Sequence, residues 1–168
     1  MPMTIPMRPS NTHSLRMSGS EHKKKVVDSR FAKSAEYGDV IKTIETKGEC
    51  PFCPDNFIYH KEPILKREGG WFLTRNSWPY ANARHHFLVI CETHKEKLDE
   101  LTDKDWQSLA FLFKWAISEY QIEGGGLAMR FGETTYTGAT VCHLHAHLIV
   151  PELNTKTGMA ETVQFPIG

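Results

Sequence analysis

The sequence predicts an α+β domain, an antiparallel β-sheet with one long helix packed on it. Short apolar runs of strand length at 71–75, 86–91, 127–132 and 142–150 are bounded by turn-forming residues. A single segment, 103–122, carries a long helical stripe of apolar side chains. Hairpin-joined strands with one long helix on a face suit an antiparallel sheet.

The elements follow in order. Residues 1–27 hold Pro2, Pro6 and Pro9, several serines and the run Lys23-Lys24-Lys25, without apolar periodicity. They are expected to be a disordered tail, and 28–168 a single domain. A helix is expected over 28–47, with Phe31, Tyr37, Val40, Ile41 and Ile44 on its apolar side. Gly38 weakens or splits it and Gly48 ends it. Cys50-Pro51-Phe52-Cys53-Pro54 then makes a tight knuckle. Strands at 71–75 and 86–91 flank the loop 76–82, broken by Pro79. Thr102 is the N-cap of the 103–122 helix, Asp105 completes its capping box, and Trp106, Leu109, Phe113, Ile117 and Tyr120 form its stripe. Gly124-Gly125-Gly126 stops it. A strand at 127–132, a Gly/Thr-rich turn at 132–140 and a strand at 142–150, ended by Pro151, complete the chain.

Bulk properties narrow the function. The 168 residues suffice for one domain with a substantial core. Lys+Arg and Asp+Glu are both 20, so the formal net charge is zero and nucleic acid is not an expected partner on bulk charge. Four cysteines, Cys50, Cys53, Cys91 and Cys142, are too few for a secreted disulfide scaffold of this length. No apolar stretch reaches the roughly 18 residues of a membrane span, and the first residues lack an apolar signal-peptide core. The expectation is a cytoplasmic protein with no membrane partner.

The chemistry concentrates in Cys142-His143-Leu144-His145-Ala146-His147-Leu148-Ile149-Val150. In a strand, alternate side chains share a face, so the three imidazoles would line one side and the apolar residues the other. Imidazole titrates near neutrality and serves as nucleophile, acid–base group or metal ligand. A buried imidazole needs partners, so three in alternation are hard to explain as packing alone. Cys50-x-x-Cys53 can grip one Zn²⁺ and leave two tetrahedral positions for histidines, His94 being a good candidate; a pair of packed thiols is the alternative. Gly138-Ala139-Thr140, just before the histidines, can bring backbone N–H groups and a hydroxyl to an anion.

These pieces resemble the histidine-triad family. His143-Leu144-His145-Ala146-His147-Leu148-Ile149 is similar to its signature, Gly138-x-Thr140-x-x-His143 to its lead-in, and His86-Phe87-Leu88-Val89-Ile90 with His94 to a further segment in which Cys91 stands for the usual proline. Asn76-x-x-Pro79-Tyr80 resembles a nucleoside-contacting segment, and Asn82 in the same loop joins it as a candidate. The resemblance covers about 50–151. It implies a histidine-triad-like fold and a nucleotide hydrolase or transferase cleaving a nucleoside phosphoramidate or dinucleoside polyphosphate at the α-phosphate. His145 would attack through Nε2 and form a nucleotidyl-histidine, with a backbone carbonyl fixing its tautomer. His147 would bind a phosphate oxygen and assist the leaving group. Gly138, Ala139 and Thr140 would stabilise the transition state. By resemblance to the uridylyltransferase branch, Cys50, Cys53, His94 and His143 would bind a structural zinc, and the protein would be a homodimer.

The chain also departs from the family. Arg130-Phe131-Gly132 stands where relatives carry an asparagine, and Arg130 is a candidate phosphate contact. His147, where sugar-phosphate uridylyltransferases have glutamine, shifts weight toward hydrolases and phosphorylases. Two other readings stay open: a catalytic metal held jointly by His143, His145 and His147, which leaves the cysteine pair without partners, and a non-catalytic nucleotide-binding protein.

Overall fold

The computed structural model describes residues 25–168. Up to residue 24, the expected tail lies outside the described residues. At its end, Val27 is fully buried and forms a β-bridge with Val141.

The sheet has five antiparallel strands: β1 (Ile64–Glu68), β2 (Trp71–Arg75), β3 (Ala83–Cys91), β4 (Gly126–Arg130) and β5 (His145–Pro151), in the order β1-β2-β3-β5-β4. The helices are α1 (Ala35–Lys47), α2 (Asp103–Glu119) and the single turn α3 (Thr134–Thr137). This is the expected α+β architecture. Among the described residues, no helix is long and apolar enough to cross a membrane, and all four cysteines are free.

Alternation sorts the central strands into two faces. Phe87, Val89 and Cys91 of β3, Ala146, Leu148 and Val150 of β5, and Trp71 and Leu73 of β2 pack with Leu109, Leu112 and Ala116 of α2 in the main core. His86, Leu88 and Ile90 of β3 and His145 and His147 of β5 point the other way. In register, His147 lies opposite Leu88 and His145 opposite Ile90, with Arg130 of β4 across from His145. α1 and the knuckle pack through Ile41, Ile44, Cys50, Val27 and Val141 into a second cluster. The histidine face thus ends up beneath α1 and the knuckle.

Several details correct the sequence reading. α1 begins at Ala35, not 28, because Ser34 caps it: its hydroxyl accepts the Tyr37 N–H. Gly38 does not split the helix; it is buried, and an added Cβ would lie 3.6 Å from Ala32 Cβ. α2 ends at Glu119, and its buried stripe is Asp105, Ser108, Leu109, Leu112 and Ala116. Trp106 and Ile117, assigned to the core by periodicity, are 48% and 41% exposed. The rest of the expected stripe does reach the sheet: Leu109 is in the core, and Phe113 and Tyr120 pack half-buried against it. β1 escaped detection because Lys66, Arg67 and Glu68 mask its pattern, as charge does on edge strands. The histidine strand begins at His145, so His143 precedes it and turns toward the knuckle.

Candidate active site and metal centre

A cleft of about 440 Å³ opens on the histidine face, lined by His145 and His147 from β5, Arg130 from β4, and Asn76, Tyr80 and Thr140 from loops. Phe52 of the knuckle closes one side, its ring edge-on to His145 at 5.0 Å.

The proton positions can be worked out from the partners. His145 Nδ1–H donates to the carbonyl of His143 at 2.7 Å, which leaves the lone pair on Nε2. Burial pushes its pKa down to about 4, so it is neutral at pH 7. His147 takes its tautomer from a longer chain. The Tyr80 backbone N–H donates to His86 Nδ1 at 3.2 Å. Asn76 is oriented because its Oδ1 accepts the Trp78 N–H, which turns its amide nitrogen toward the His86 ring. Burial holds His86 neutral, its pKa lowered to about 3. Its proton therefore sits on Nε2 and is donated to His147 Nδ1 at 2.8 Å. His147 must then carry its own proton on Nε2, a buried atom with no partner among the described residues. One ring thus presents an unprotonated nitrogen and its neighbour an N–H donor, with ring centroids 4.9 Å apart.

His86 is a site residue that sequence reasoning missed as such. It opens the run that carries the resemblance, yet only the diagonal register of β3 and β5 reveals its contact with His147. Lys33, ahead of α1, is another: its Nζ lies 3.5 Å from the centroid of the Tyr80 ring at the cleft rim. No sequence signal marks it. Arg130 is buried, with Nη2 donating to the Tyr80 hydroxyl at 2.8 Å and Nη1 to the Gly138 carbonyl at 3.1 Å.

Not every expected residue reaches the cleft. Of the Gly138-Ala139-Thr140 turn, Thr140 lines it, its hydroxyl paired with the Tyr37 hydroxyl at 2.8 Å. The Gly138 N–H is spent on Thr134 O and the Ala139 N–H on Thr137 Oγ1. The physical reason is α3: residues 134–137 form a helical turn, and Gly138, in the left-handed region, closes it. Asn82 also lies outside. It supplies the positive φ of the turn before β3, and its side chain donates to Thr162 O.

Beside the cleft, Cys50, Cys53, His94 and His143 bring four ligand atoms within 4.8 Å of one another. The two Nδ1 atoms are 3.3 Å apart, Cys50 Sγ is 3.3 Å from His143 Nδ1, and Cys53 Sγ is 3.5 Å from His94 Nδ1. A Zn²⁺ tetrahedron with bonds of ~2.0 Å to nitrogen and ~2.3 Å to sulfur has edges of about these lengths. The outer partners fit too. His143 Nε2–H donates to Cys91 O at 2.6 Å and His94 Nε2–H to Glu96 at 2.9 Å, so both Nδ1 atoms face the centre with lone pairs. Burial pushes the Cys50 thiol up to about 12, so its ionisation calls for an adjacent cation. The donor set therefore fits zinc.

The family model described as scavenger mRNA decapping enzyme C-term binding matches residues 50–162. A histidine triad nucleotide-binding protein from Candida albicans superposes with a TM-score of 0.50 at 19% identity, over 71% of this chain and 85% of that one. A HIT family hydrolase from Clostridium thermocellum gives 0.48 at 24% identity, over 64% and 93%. A zinc-bound histidine triad family protein from Mycobacterium smegmatis gives 0.42 at 21%, over 58% and 71%. No curated protein matches. The family match spans the knuckle, the sheet and all three clustered histidines of the 143–147 run, so the chain belongs to the scavenger mRNA decapping enzyme C-term binding family.

Proposed function

We propose that this protein is a histidine-triad nucleotide hydrolase that cleaves at the α-phosphate through a nucleotidyl-histidine. The observation that carries the reading is the pair of ring contacts: His145 Nδ1 is tied to the His143 carbonyl, which assigns a lone pair to its Nε2, and His147 Nε2 is buried without a partner among the described residues while its Nδ1 is tied to His86. In the first step the His145 Nε2–P bond forms and the bond from phosphorus to the leaving group breaks. The imidazolium charge that develops is steadied by the His143 carbonyl. His147 Nε2–H donates to a phosphate oxygen or to the leaving atom, and the Thr140 hydroxyl and Arg130 offset charge on the phosphoryl oxygens. Water then attacks phosphorus and returns His145; inorganic phosphate as acceptor would make the enzyme a phosphorylase. Asn76 and Tyr80 hold the nucleoside side of the cleft.

Cys50, Cys53, His94 and His143 hold a structural zinc, which when bound fixes the knuckle and its Phe52 against the His145 ring. A homodimer accords with the exposed Trp106 and Ile117 of α2 and with β4 at the sheet edge. Light scattering at micromolar concentration should give twice the 19.2 kDa chain mass, and a monomeric mass would refute it.

The test is a product assay over a panel: a diadenosine polyphosphate, adenosine phosphoramidate, a nucleoside diphosphate sugar and, given the family's description, a 5′–5′ capped dinucleotide. Each is run with and without phosphate. A nucleoside monophosphate should appear and should vanish in His145→Ala. A nucleoside diphosphate formed only with phosphate would move the reading to a phosphorylase. No product anywhere, or turnover untouched by His145→Ala, would overturn it.

A further inference from the structure

Tyr37 reads in the sequence as one more residue on the apolar side of the first helix, yet its hydroxyl ends at a polar partner 103 positions away. Ser34 caps α1 and accepts the Tyr37 N–H at 3.2 Å, which fixes Tyr37 in the first turn. From there its side chain lines the cleft together with Thr140 and His145. The Tyr37 and Thr140 hydroxyl oxygens are 2.8 Å apart, and neither has another hydrogen-bond partner among the described residues. The Tyr37 ring packs on Trp78, centroids 4.6 Å apart, and Trp78 gives its backbone N–H to Asn76 Oδ1 at 3.0 Å. The Thr140 backbone is tied separately: its carbonyl accepts the Asp28 N–H at 2.9 Å, and Val141 bridges to Val27. What is left free at Thr140 is the direction of one hydroxyl hydrogen.

Two directions are open to it. If Thr140 donated to Tyr37, its hydrogen would be spent and its lone pairs would face an incoming phosphate. If Tyr37 donates instead, the Thr140 hydrogen is available to that phosphate. A phenol is a more acidic O–H than an alcohol and a weaker acceptor, so Tyr37 donates. Burial raises the Tyr37 phenol, which therefore keeps its hydrogen at neutral pH. An anion at Thr140 selects the same direction, and the two bonds of such a chain strengthen each other.

We infer that Tyr37 is a positioning residue for the transfer step: its hydroxyl donates to Thr140 Oγ1 and so aims the Thr140 hydrogen at a phosphoryl oxygen of the nucleotide. This rests on the reading of the cleft as the site of nucleotidyl transfer. No proton leaves either hydroxyl; the pair acts by orientation. The gain grows as negative charge gathers on the phosphoryl oxygens, so it falls more on rate than on binding.

Tyr37→Phe keeps the ring on Trp78 and removes only the hydroxyl, while Thr140→Val keeps the shape of Thr140 and removes its hydroxyl. Single-turnover rates are measured on the full chain for the wild type, each variant and the double variant, with the panel member that the wild type cleaves fastest. Tyr37→Phe should slow the step about tenfold and move the half-saturating concentration by less than about threefold. In the Thr140→Val background it should cost nothing further, because the hydroxyl that it aims is gone. An unchanged rate, a loss confined to the half-saturating concentration, or the same loss with and without Thr140 would overturn the inference. A second readout needs no turnover. AMP and GMP are titrated by calorimetry beside adenosine and guanosine. Tyr37→Phe should weaken the tighter monophosphate about threefold and leave its nucleoside unchanged. Equal weakening of both, weakening of neither, or monophosphates that bind no more tightly than their nucleosides would overturn it. Should the wild type turn nothing over, the hydrolase reading falls while the titration still decides the role of Tyr37.

Discussion

The proton on His147 is decided beyond the neighbouring ring. The Tyr80 N–H and Asn76 amide fix His86, and His86 fixes His147. His86→Ala removes the donor to His147 Nδ1 and lets the proton move to that atom, which turns the cleft-facing nitrogen from donor to acceptor. The expected result is a fall in kcat of about 100-fold, the scale of losing one positioned acid–base group, with a much smaller change in KM. Steady-state kinetics check it, and a change confined to KM would show that His86 only shapes binding. At the metal centre, the roles of neighbouring histidines should separate. His143→Ala is expected to lose its zinc and His145→Ala to retain one per chain, as read by elemental analysis. Metal loss in both would favour the reading in which the three histidines share a catalytic ion. The paired cysteines and alternating histidines were legible in the sequence because they are local patterns. Lys33 and the role of His86 were not, because both arise from contacts between segments far apart in the chain. The Gly138 and Ala139 N–H groups were misassigned because a four-residue helical turn, too short to show periodicity, consumes them.

At the level of elements, the start of α2 is braced from several sides. Thr102 and Asp105 cap each other reciprocally, and Asp105 also accepts from Trp71 Nε1 at 2.9 Å and from Lys95 at 2.9 Å. Burial alone would raise this carboxyl, but the hydrogen bonds from Thr102, Trp71 and Lys95 outweigh it and hold it well below the usual carboxylate range. One side chain thus ties the helix to β2 and to the loop after β3. Asp105→Ala should cost about 2–3 kcal/mol, combining a lost cap with an orphaned buried indole N–H. Because the native carboxyl is depressed, its contribution is complete above the unfolded value near 4 and is lost below it. The variant's stability deficit, measured by denaturant unfolding, should therefore shrink as pH drops from 5 to 3; a deficit independent of pH would mean that packing alone is at stake. The capping box was readable from Thr102 and Asp105. The exact phase of the buried stripe was not, since Phe113 reaches the core beside Leu109, Leu112 and Ala116 while Trp106 and Ile117 turn to solvent, and only the sheet decides which positions are covered.

Across the whole molecule, one face of the sheet builds an ordinary core and the other holds a polar cluster whose state is set by burial. Leu88 and Ile90 alternate with Phe87, Val89 and Cys91, so the same strands serve both. The fold class followed from that alternation together with one long helix, and both are visible in sequence. The cost lies on the histidine face, where His86 and His147 must stay neutral in a buried site. Burial lowers His86 to about 3, and burial with the neighbouring His145 and His86 lowers His147 well below its ordinary value. An unfolded histidine protonates near 6.5, so below that pH the unfolded state takes up protons that the folded state refuses. Stability from this source is complete above pH 6.5 and is lost as the pH falls toward the folded values. Each such histidine steepens the loss by about 1.4 kcal/mol per pH unit. Denaturant unfolding between pH 7.5 and 4.5 should show stability falling below pH 6.5, ahead of the carboxylate transition near pH 4. Replacing His86 with Gln, which keeps a hydrogen-bonding side chain but does not titrate, should make the fall shallower by about one histidine's share. A curve flat down to pH 5, or an unchanged slope in His86→Gln, would mean that the histidine face opens to water and protonates while folded. The cleft would then be too wet to hold the neutral tautomer pair on which nucleophilic attack by His145 depends.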